Sequence, residues 1–375
     1  MGILDRIIKM NKVYDYVYET EELNDLPESI ALELFHINYS GAKLVKGGCS
    51  TIAKKFGPNH SVMARNMDFY LSEWPVYIVR THLMGCYKTV GLTYFSASVL
   101  PSVEEIERDG GIMAIIAYDA VLLQTDVINE HGLYIQVNMR EENDPGDEQF
   151  YTKGTNPDAD IKVAVPSLAG YLTRHCTNID EVLKEIKRID IYSLAPSMLF
   201  GYNFCCMIMD KTGRYGLLEI ARNKISWLED QNCQTNFYVT KEFNELSKFK
   251  SGVGRYDYLT KHVSEAKDEK DMFNLIDKTS MMKFNHRVSS YDISTEFVKV
   301  RPEFSNEYIN NHPDVIKKYS DEAKEKFLKF EKANQIRKAT SFWITVYTVT
   351  YDNQNGYLNV RFFEDEDKYI KISAD

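Results

Sequence analysis

Cys49 stands directly behind two glycines, Gly47 and Gly48, and directly ahead of the strand-like run Ser50-Thr51-Ile52-Ala53. The glycines allow positive φ and close approach by other groups, and the strand would hold the cysteine rigidly at its start. A thiol so placed is a candidate nucleophile, although a buried cysteine is more often a small hydrophobe. Sixteen residues on comes Arg65-Asn66-Met67-Asp68-Phe69, a second strand. Its alternation puts Arg65 and Met67 on one face and Asn66 and Asp68 on the other. Asp68, near the strand end, can bend back toward the first strand, so the pleat does not forbid both charges from serving one thiol.

The elements that must position these residues are mostly strands. Cys49–Lys54, Ser61–Asp68, Val76–Leu83, Gly91–Val99, Ile112–Leu123 and Leu133–Val137 are rich in β-branched and aromatic residues and bounded by turn formers. Cys205–Asp210 and Tyr215–Ala221 predict a hairpin turned at Asp210-Lys211-Thr212-Gly213. Ala339–Thr350 and Tyr357–Phe363 predict another. Helical periodicity marks Pro166–His175, Ile179–Ile189, Tyr256–His262, Lys270–Lys278 and Asp314–Phe330. Strands interleaved with helix blocks, without regular βαβ alternation, predict an α+β fold of antiparallel sheets with helices outside. Residues 1–48 form a small helical or mixed segment ahead of Cys49, Glu141–Asp160 is a polar surface loop, and 49–375 reads as one domain.

Composition narrows the function. A net charge of -10 over 375 residues argues against a nucleic-acid partner, which needs clustered Lys and Arg. No apolar run reaches the roughly 18 residues a membrane span requires. The N-terminus lacks the apolar core of a secretory signal, so a cytoplasmic protein with reduced thiols is expected. The six cysteines include no CxxC pair and the scattered histidines have no metal-ligand spacing, so neither metal nor cofactor is expected.

Five segments in order carry a resemblance. Cys49-Ser50-Thr51-Ile52 is followed at +16 and +19 by Arg65 and Asp68. Asn129-Glu130-His131-Gly132-Leu133 leads a few residues later to Asn138, Gln234-Thr235-Asn236-Phe237-Tyr238 carries Asn236, and Ser251-Gly252-Val253-Gly254-Arg255-Tyr256 carries Arg255. The hairpin from Met209 to Glu219 also fits. Together they resemble the linear-amide hydrolases of the choloylglycine-hydrolase type, N-terminal-nucleophile enzymes that include bile-salt hydrolases, penicillin V acylases, acid ceramidase, N-acylethanolamine acid amidase and the penicillin acyltransferases. The likeness runs from about Cys49 to Arg255.

That resemblance implies a four-layer αββα sandwich and self-cleavage between Gly48 and Cys49, with residues 1–48 removed as a prosegment. The new α-amine, of ordinary pKa roughly 7.7–8.0, then serves as base for its own thiol. Arg65 would lower the thiol pKa, Asp68 would orient the ammonium, and Asn138 would donate to the oxyanion. Asn236 would position the amine or the tetrahedral intermediate, and Arg255 would complete the charge network. Taken separately, Arg65 and Asp68 also read as a surface pair, Asn138 as a strand end, Asn236 as a turn former and Arg255 as a helix N-terminal charge. The long prosegment and the phrase Ala64-Arg65-Asn66-Met67-Asp68-Phe69 are more similar to the acid-amidase subgroup. An N-acyl amide with an apolar acyl chain is therefore the expected substrate, with bile-salt or penicillin V hydrolysis, or acyl transfer to an amine, as alternatives. A non-catalytic binding module has no need of the intact set. Dimers and tetramers are common in the family it resembles, so a homo-oligomer is one expectation.

Overall fold

In β3 (Gly48–Gly57) and β4 (His60–Tyr70) alternate side chains enter two different cores, which fixes how the layers stack. Cys49, Ala53, Met63 and Met67 join a core shared by both large sheets. Ile52, Val62 and Ala64 point the other way, into a core built with helices. Both faces of this hairpin are buried, so a one-residue slip in register would send every side chain to the wrong layer.

The computed structural model describes residues 10–14, 17–20, 48–70, 76–93, 124–140, 150–193, 204–245, 252–280, 343–362 and 369–375. The strands expected over Ile112–Leu123 and the far end of Gly91–Val99, the helix over Asp314–Phe330 and the first half of the Glu141–Asp160 loop lie outside them. The remaining strands are β1 (Met10–Tyr14), β2 (Val17–Thr20), β5 (Val76–Thr81), β6 (Thr89–Thr93), β7 (Asp126–Asn129), β8 (Tyr134–Met139), β9 (Lys162–Ala164), β10 (Asp190–Tyr192), β11 (Phe204–Met209), β12 (Tyr215–Ala221), β13 (Lys224–Glu229), β14 (Cys233–Gln234), β15 (Trp343–Asp352), β16 (Leu358–Phe362) and β17 (Tyr369–Ile372). The helices are α1 (Leu168–His175), α2 (Ile179–Glu185), α3 (Lys241–Asn244), α4 (Val253–His262) and α5 (Glu269–Asp277).

Six strands, in the order β14-β3-β4-β15-β16-β17, make one fully antiparallel sheet. The other has nine, in the order β1-β2-β5-β6-β7-β8-β11-β12-β13, antiparallel throughout except where β2 runs parallel to β5. Helix α1 covers β6, β7 and β8 of the larger sheet, while α4 and α5 cover β3, β4, β14 and β15 of the smaller. The result is the α+β, helix–sheet–sheet–helix stack. Between the sheets lie Ile78, Leu92, Met207, Leu217, Val349 and Val360, all fully buried or nearly so. Each such side chain contributes roughly 1.5–3 kcal/mol by leaving water.

Of the segment ahead of Cys49, expected to be helical or mixed, the described residues before Gly48 are strands. β1 and β2 form a hairpin on the edge of the nine-stranded sheet, tied down by Arg80. Its Nε donates to Glu19 at 2.6 Å and its Nη1 to the Ser373 carbonyl at 2.6 Å. The short strands β9, β10, β13, β14 and β17 also escaped the sequence reading, because two to six residues give too little alternation to register. No helix among the described residues is long and apolar enough to cross a membrane.

Candidate active site

The antiparallel pairing of β3 with β4 sets Cys49 opposite Met67, Thr51 opposite Arg65 and Gly48 opposite Asp68. Arg65 thus reaches diagonally across the hairpin on the inner face, and its Nη2 donates to the Cys49 sulfur at 3.2 Å. The same nitrogen donates to the Val137 carbonyl at 2.6 Å and contacts the Met67 sulfur at 3.1 Å. Asp68 faces the opposite layer, as strand alternation requires.

Asn138 comes from β8 of the other sheet, and the turn before it explains the Asn129-Glu130-His131-Gly132-Leu133 pattern. The Asn129 side-chain oxygen accepts from the His131 and Leu133 amides, each at 3.0 Å, and its nitrogen donates to the Thr173 and Cys176 carbonyls at the end of α1, each at 2.8 Å. Gly132 has φ of +79°, and a Cβ there would meet Lys211 at 3.0 Å and the Tyr351 hydroxyl at 3.1 Å. A side chain there would be strained by the positive φ and would press on the Tyr351 hydroxyl. With the turn so fixed, Asn138 bridges the sheets. Its nitrogen donates to Thr51 Oγ1 at 3.2 Å and to the Gln234 and Thr235 carbonyls at 3.4 Å. These bonds are long, so the amide hydrogens are weakly engaged.

Asn236, just past β14, accepts the Cys49 backbone N–H at 3.0 Å through Oδ1 and donates to the Met139 carbonyl at 2.8 Å. Arg255, in the first turn of α4, closes the group. Its Nη1 donates to the Cys49 carbonyl at 2.9 Å, Ser50 Oγ at 2.5 Å and Asp68 Oδ2 at 3.1 Å, and its Nη2 to Asn236 Oδ1 at 2.9 Å. Gly252 precedes α4 with φ of +78°, and a Cβ on it would lie 2.8 Å from Arg255 Nη2. That glycine is what lets the guanidinium lie against the chain. Asp68 Oδ1 accepts from Thr345 Oγ1 on β15 at 2.6 Å.

All six residues singled out in the sequence therefore belong to one connected network in which each is buried. Arg65 and Asp68 are not a surface pair; Arg255 takes Asp68, and Arg65 takes a carboxylate the sequence reading missed. That carboxylate is Asp126 on β7, fully buried with Arg65 and ion-paired to its Nη1. It also accepts from the Tyr134 hydroxyl at 2.5 Å and the Tyr347 hydroxyl at 2.6 Å. An aspartate directly ahead of the β-branched pair Val127-Ile128 was the available signal. Nothing in sequence marked Thr345 or Tyr347.

Burial pushes the Cys49 thiol above its ordinary value; the Arg65 charge and hydrogen bond pull against that, Asp68 adds to it, and Arg255 opposes it. Burial acts to lower the Arg65 guanidinium, but Asp126, with smaller help from Tyr347, Cys49 and Tyr134, outweighs it, and Arg65 stays firmly charged. Cys205, in the same core but donating to the Asn138 carbonyl at 3.6 Å, is pushed by burial to about 12.

Residues 49–244 match the model of the linear amide C-N hydrolases, choloylglycine hydrolase family. Among solved structures, a mutant conjugated bile acid hydrolase from Clostridium perfringens aligns at 12% identity with a TM-score of 0.49, over 87% of this chain and 92% of that one. Penicillin V acylase from Agrobacterium tumefaciens aligns at 11% identity with a TM-score of 0.45, over 84% and 83%. No curated protein matches the sequence.

Proposed function

Because the chain belongs to the choloylglycine hydrolase family of linear amide C–N hydrolases, we propose that Cys49 is its nucleophile, unmasked by scission of the Gly48–Cys49 bond. Its substrate in this reading is an N-acyl amide with an apolar acyl group. The observation that carries the reading is how Cys49 is held: its nitrogen by Asn236, its sulfur by Arg65 and its carbonyl by Arg255. A structural cysteine has no need of separate anchors on nitrogen and sulfur; a residue that is both base and nucleophile does.

Scission turns the Cys49 nitrogen into an amine of ordinary pKa roughly 7.7–8.0. The amine takes the thiol proton and the sulfur adds to the substrate's acyl carbon. Asn138, whose own bonds are long, turns its amide hydrogens to the oxyanion. The C–N bond then breaks as the ammonium returns its proton to the leaving nitrogen. Water, deprotonated by the same amine, cleaves the thioester, releases the acid and restores the thiol. Arg65 stabilises the thiolate throughout.

Intact mass and N-terminal sequencing of wild type beside Cys49→Ala test the scission. Wild type is expected to show a new N-terminus at Cys49 beside that of the released segment, and the variant to keep residues 1–48 joined. If neither is cut and wild type hydrolyses no amide, the reading fails. Scission leaves Met10–Thr20 hydrogen-bonded through β2 to β5, so denaturing masses should show two chains and native masses one complex. The substrate class rests on the 64–69 segment and its likeness to acid amidases. Fatty-acyl amino acids are expected to outpace conjugated bile acids and penicillin V in a panel, and thioester partition toward an added amine measures acyl transfer.

A further inference from the structure

Arg65 is a planar fork, so whatever fixes one of its terminal nitrogens fixes the other. Nη2 lies on the Cys49 sulfur; Nη1 is held by the Asp126 carboxylate and contacts the Tyr347 hydroxyl at 3.0 Å. Asp126 is in turn held from both sheets, through Oδ1 by Tyr134 of the nine-stranded sheet and through Oδ2 by Tyr347 of the six-stranded one. Gln136 lies opposite Asp126 in the β7–β8 ladder, and its amide has no hydrogen-bond partner among the described residues. It gives the carboxylate no alternative anchor, so the Nη1 end of Arg65 is set by the aspartate and the two phenols, while the Val137 carbonyl holds Nη2 at 2.6 Å.

We propose that Asp126 is a positioning residue for catalysis, which, clamped by Tyr134 and Tyr347, aims the Arg65 guanidinium at the Cys49 sulfur. The inference rests on Cys49 being the nucleophile. A carboxylate needed only to neutralise a buried arginine could sit on any side of it. This one occupies the end of the guanidinium remote from the sulfur, which leaves Nη2 to be shared by the Val137 carbonyl and the thiol. The two tyrosines donate to its oxygens from different layers, so its orientation is set by the sandwich itself and not by one loop.

The test is Asp126→Asn, with Tyr134→Phe/Tyr347→Phe as a second variant that keeps the charge pair and removes the clamp. Two readouts separate aiming from mere stability: the pH profile of Cys49 alkylation by iodoacetamide, mapped to the Cys49 peptide, and the split between kcat and KM. Asp126→Asn is expected to move the alkylation midpoint upward by about one pH unit and to lower kcat on the order of 100-fold, with KM within about threefold. The double tyrosine variant should shift both in the same direction by less. Folded Asp126→Asn protein with the wild-type alkylation profile overturns the proposal. If Asp126→Asn does not fold, an unmoved profile in the tyrosine variant overturns it instead. The profile is read at the thiol and not by turnover. A wild type that hydrolyses no amide therefore counts against the proposed function, while an unmoved profile counts against the role of Asp126.

Discussion

Two buried arginine–carboxylate pairs each take their carboxylate from the larger sheet, and they end in different places. Arg65–Asp126 and Arg140–Glu219 are both inaccessible to solvent on both partners. Arg140, directly after β8, donates to Glu219 and to the Phe237 carbonyl, and its guanidinium lies 4.9 Å from the centre of the Tyr238 ring. Glu219 on β12 accepts the Val239 and Thr240 amides at 2.9 and 2.8 Å. The second pair thus fastens main chain just past Asn236 to the sheet. The first also satisfies its carboxylate but leaves one guanidinium nitrogen on a sulfur. Burial and ion pairing are common to both, so they do not mark the site. The destination of the last N–H does.

The largest effect that would sharpen this contrast is on stability. Glu219→Ala leaves Arg140 buried without its counter-charge and two backbone amides without an acceptor. Breaking such a pair costs about 3–5 kcal/mol, measurable by urea unfolding. In the fraction that stays folded, the Cys49 alkylation profile is expected to match wild type. A profile that moves as far as in Asp126→Asn would break the distinction between the two pairs.

Next in size is Asn138→Ala, the test of the oxyanion role. Loss of one such donor costs about 3–4 kcal/mol in a comparable site, a 100- to 1,000-fold fall in kcat. Stability should fall far less, because the bonds that Asn138 makes from its nitrogen are all 3.2 Å or longer. A large loss of stability with near-normal kcat would reassign Asn138 to the scaffold, beside Arg140. Smaller again is Thr345→Val, which removes the 2.6 Å donor to Asp68 while Arg255 remains. One hydrogen bond to a charged group is worth about 1.5–3 kcal/mol, and the remaining ion pair should hold the kcat loss to roughly tenfold. An unchanged kcat would show that Asp68 is held without Thr345.

How far these roles could be read in sequence follows from chain distance. Cys49, Arg65 and Asp68 are brought together by one hairpin, so their spacing is the register of β3 on β4 and is visible as a local pattern. Asn138 and Asn236 were legible only because their short segments, 129–133 and 234–238, resemble those of the family; the turn that Asn129 and Gly132 build explains the first. Asp126 and Tyr347 meet Arg65 across 61 and 282 residues. Sheet stacking brings Asp126 to Arg65 and the distant pairing of β15 with β4 brings Tyr347, and no periodicity encodes either. The same reason hid the upstream hairpin: four- and five-residue strands acquire meaning only from the edge of β5, which they cover.

The smallest effect comes from a third arginine pair, which has good geometry without burial. Arg214 grips Glu229 with both Nε and Nη2, at 2.8 and 2.9 Å, and Trp227 adds an indole donor at 2.8 Å. The Arg214 hydrogen bond lowers the Glu229 carboxyl below its usual range, against a smaller opposing effect of burial. A carboxyl depressed in the folded state adds stability above its unfolded pKa, roughly 4.3, and loses it as pH falls through the folded value. Glu229 is 43% exposed, so solvent screening limits the contribution to about 0.2–1 kcal/mol. Glu229→Gln should therefore be slightly less stable than wild type at pH 7 in low salt, with the difference shrinking in 1 M salt and closing below about pH 4. A difference that persists unchanged into acid would have to come from packing instead. A difference of several kcal/mol at neutral pH would mean that bidentate geometry matters more than burial in this fold, which would undo the contrast drawn between Arg65 and Arg140.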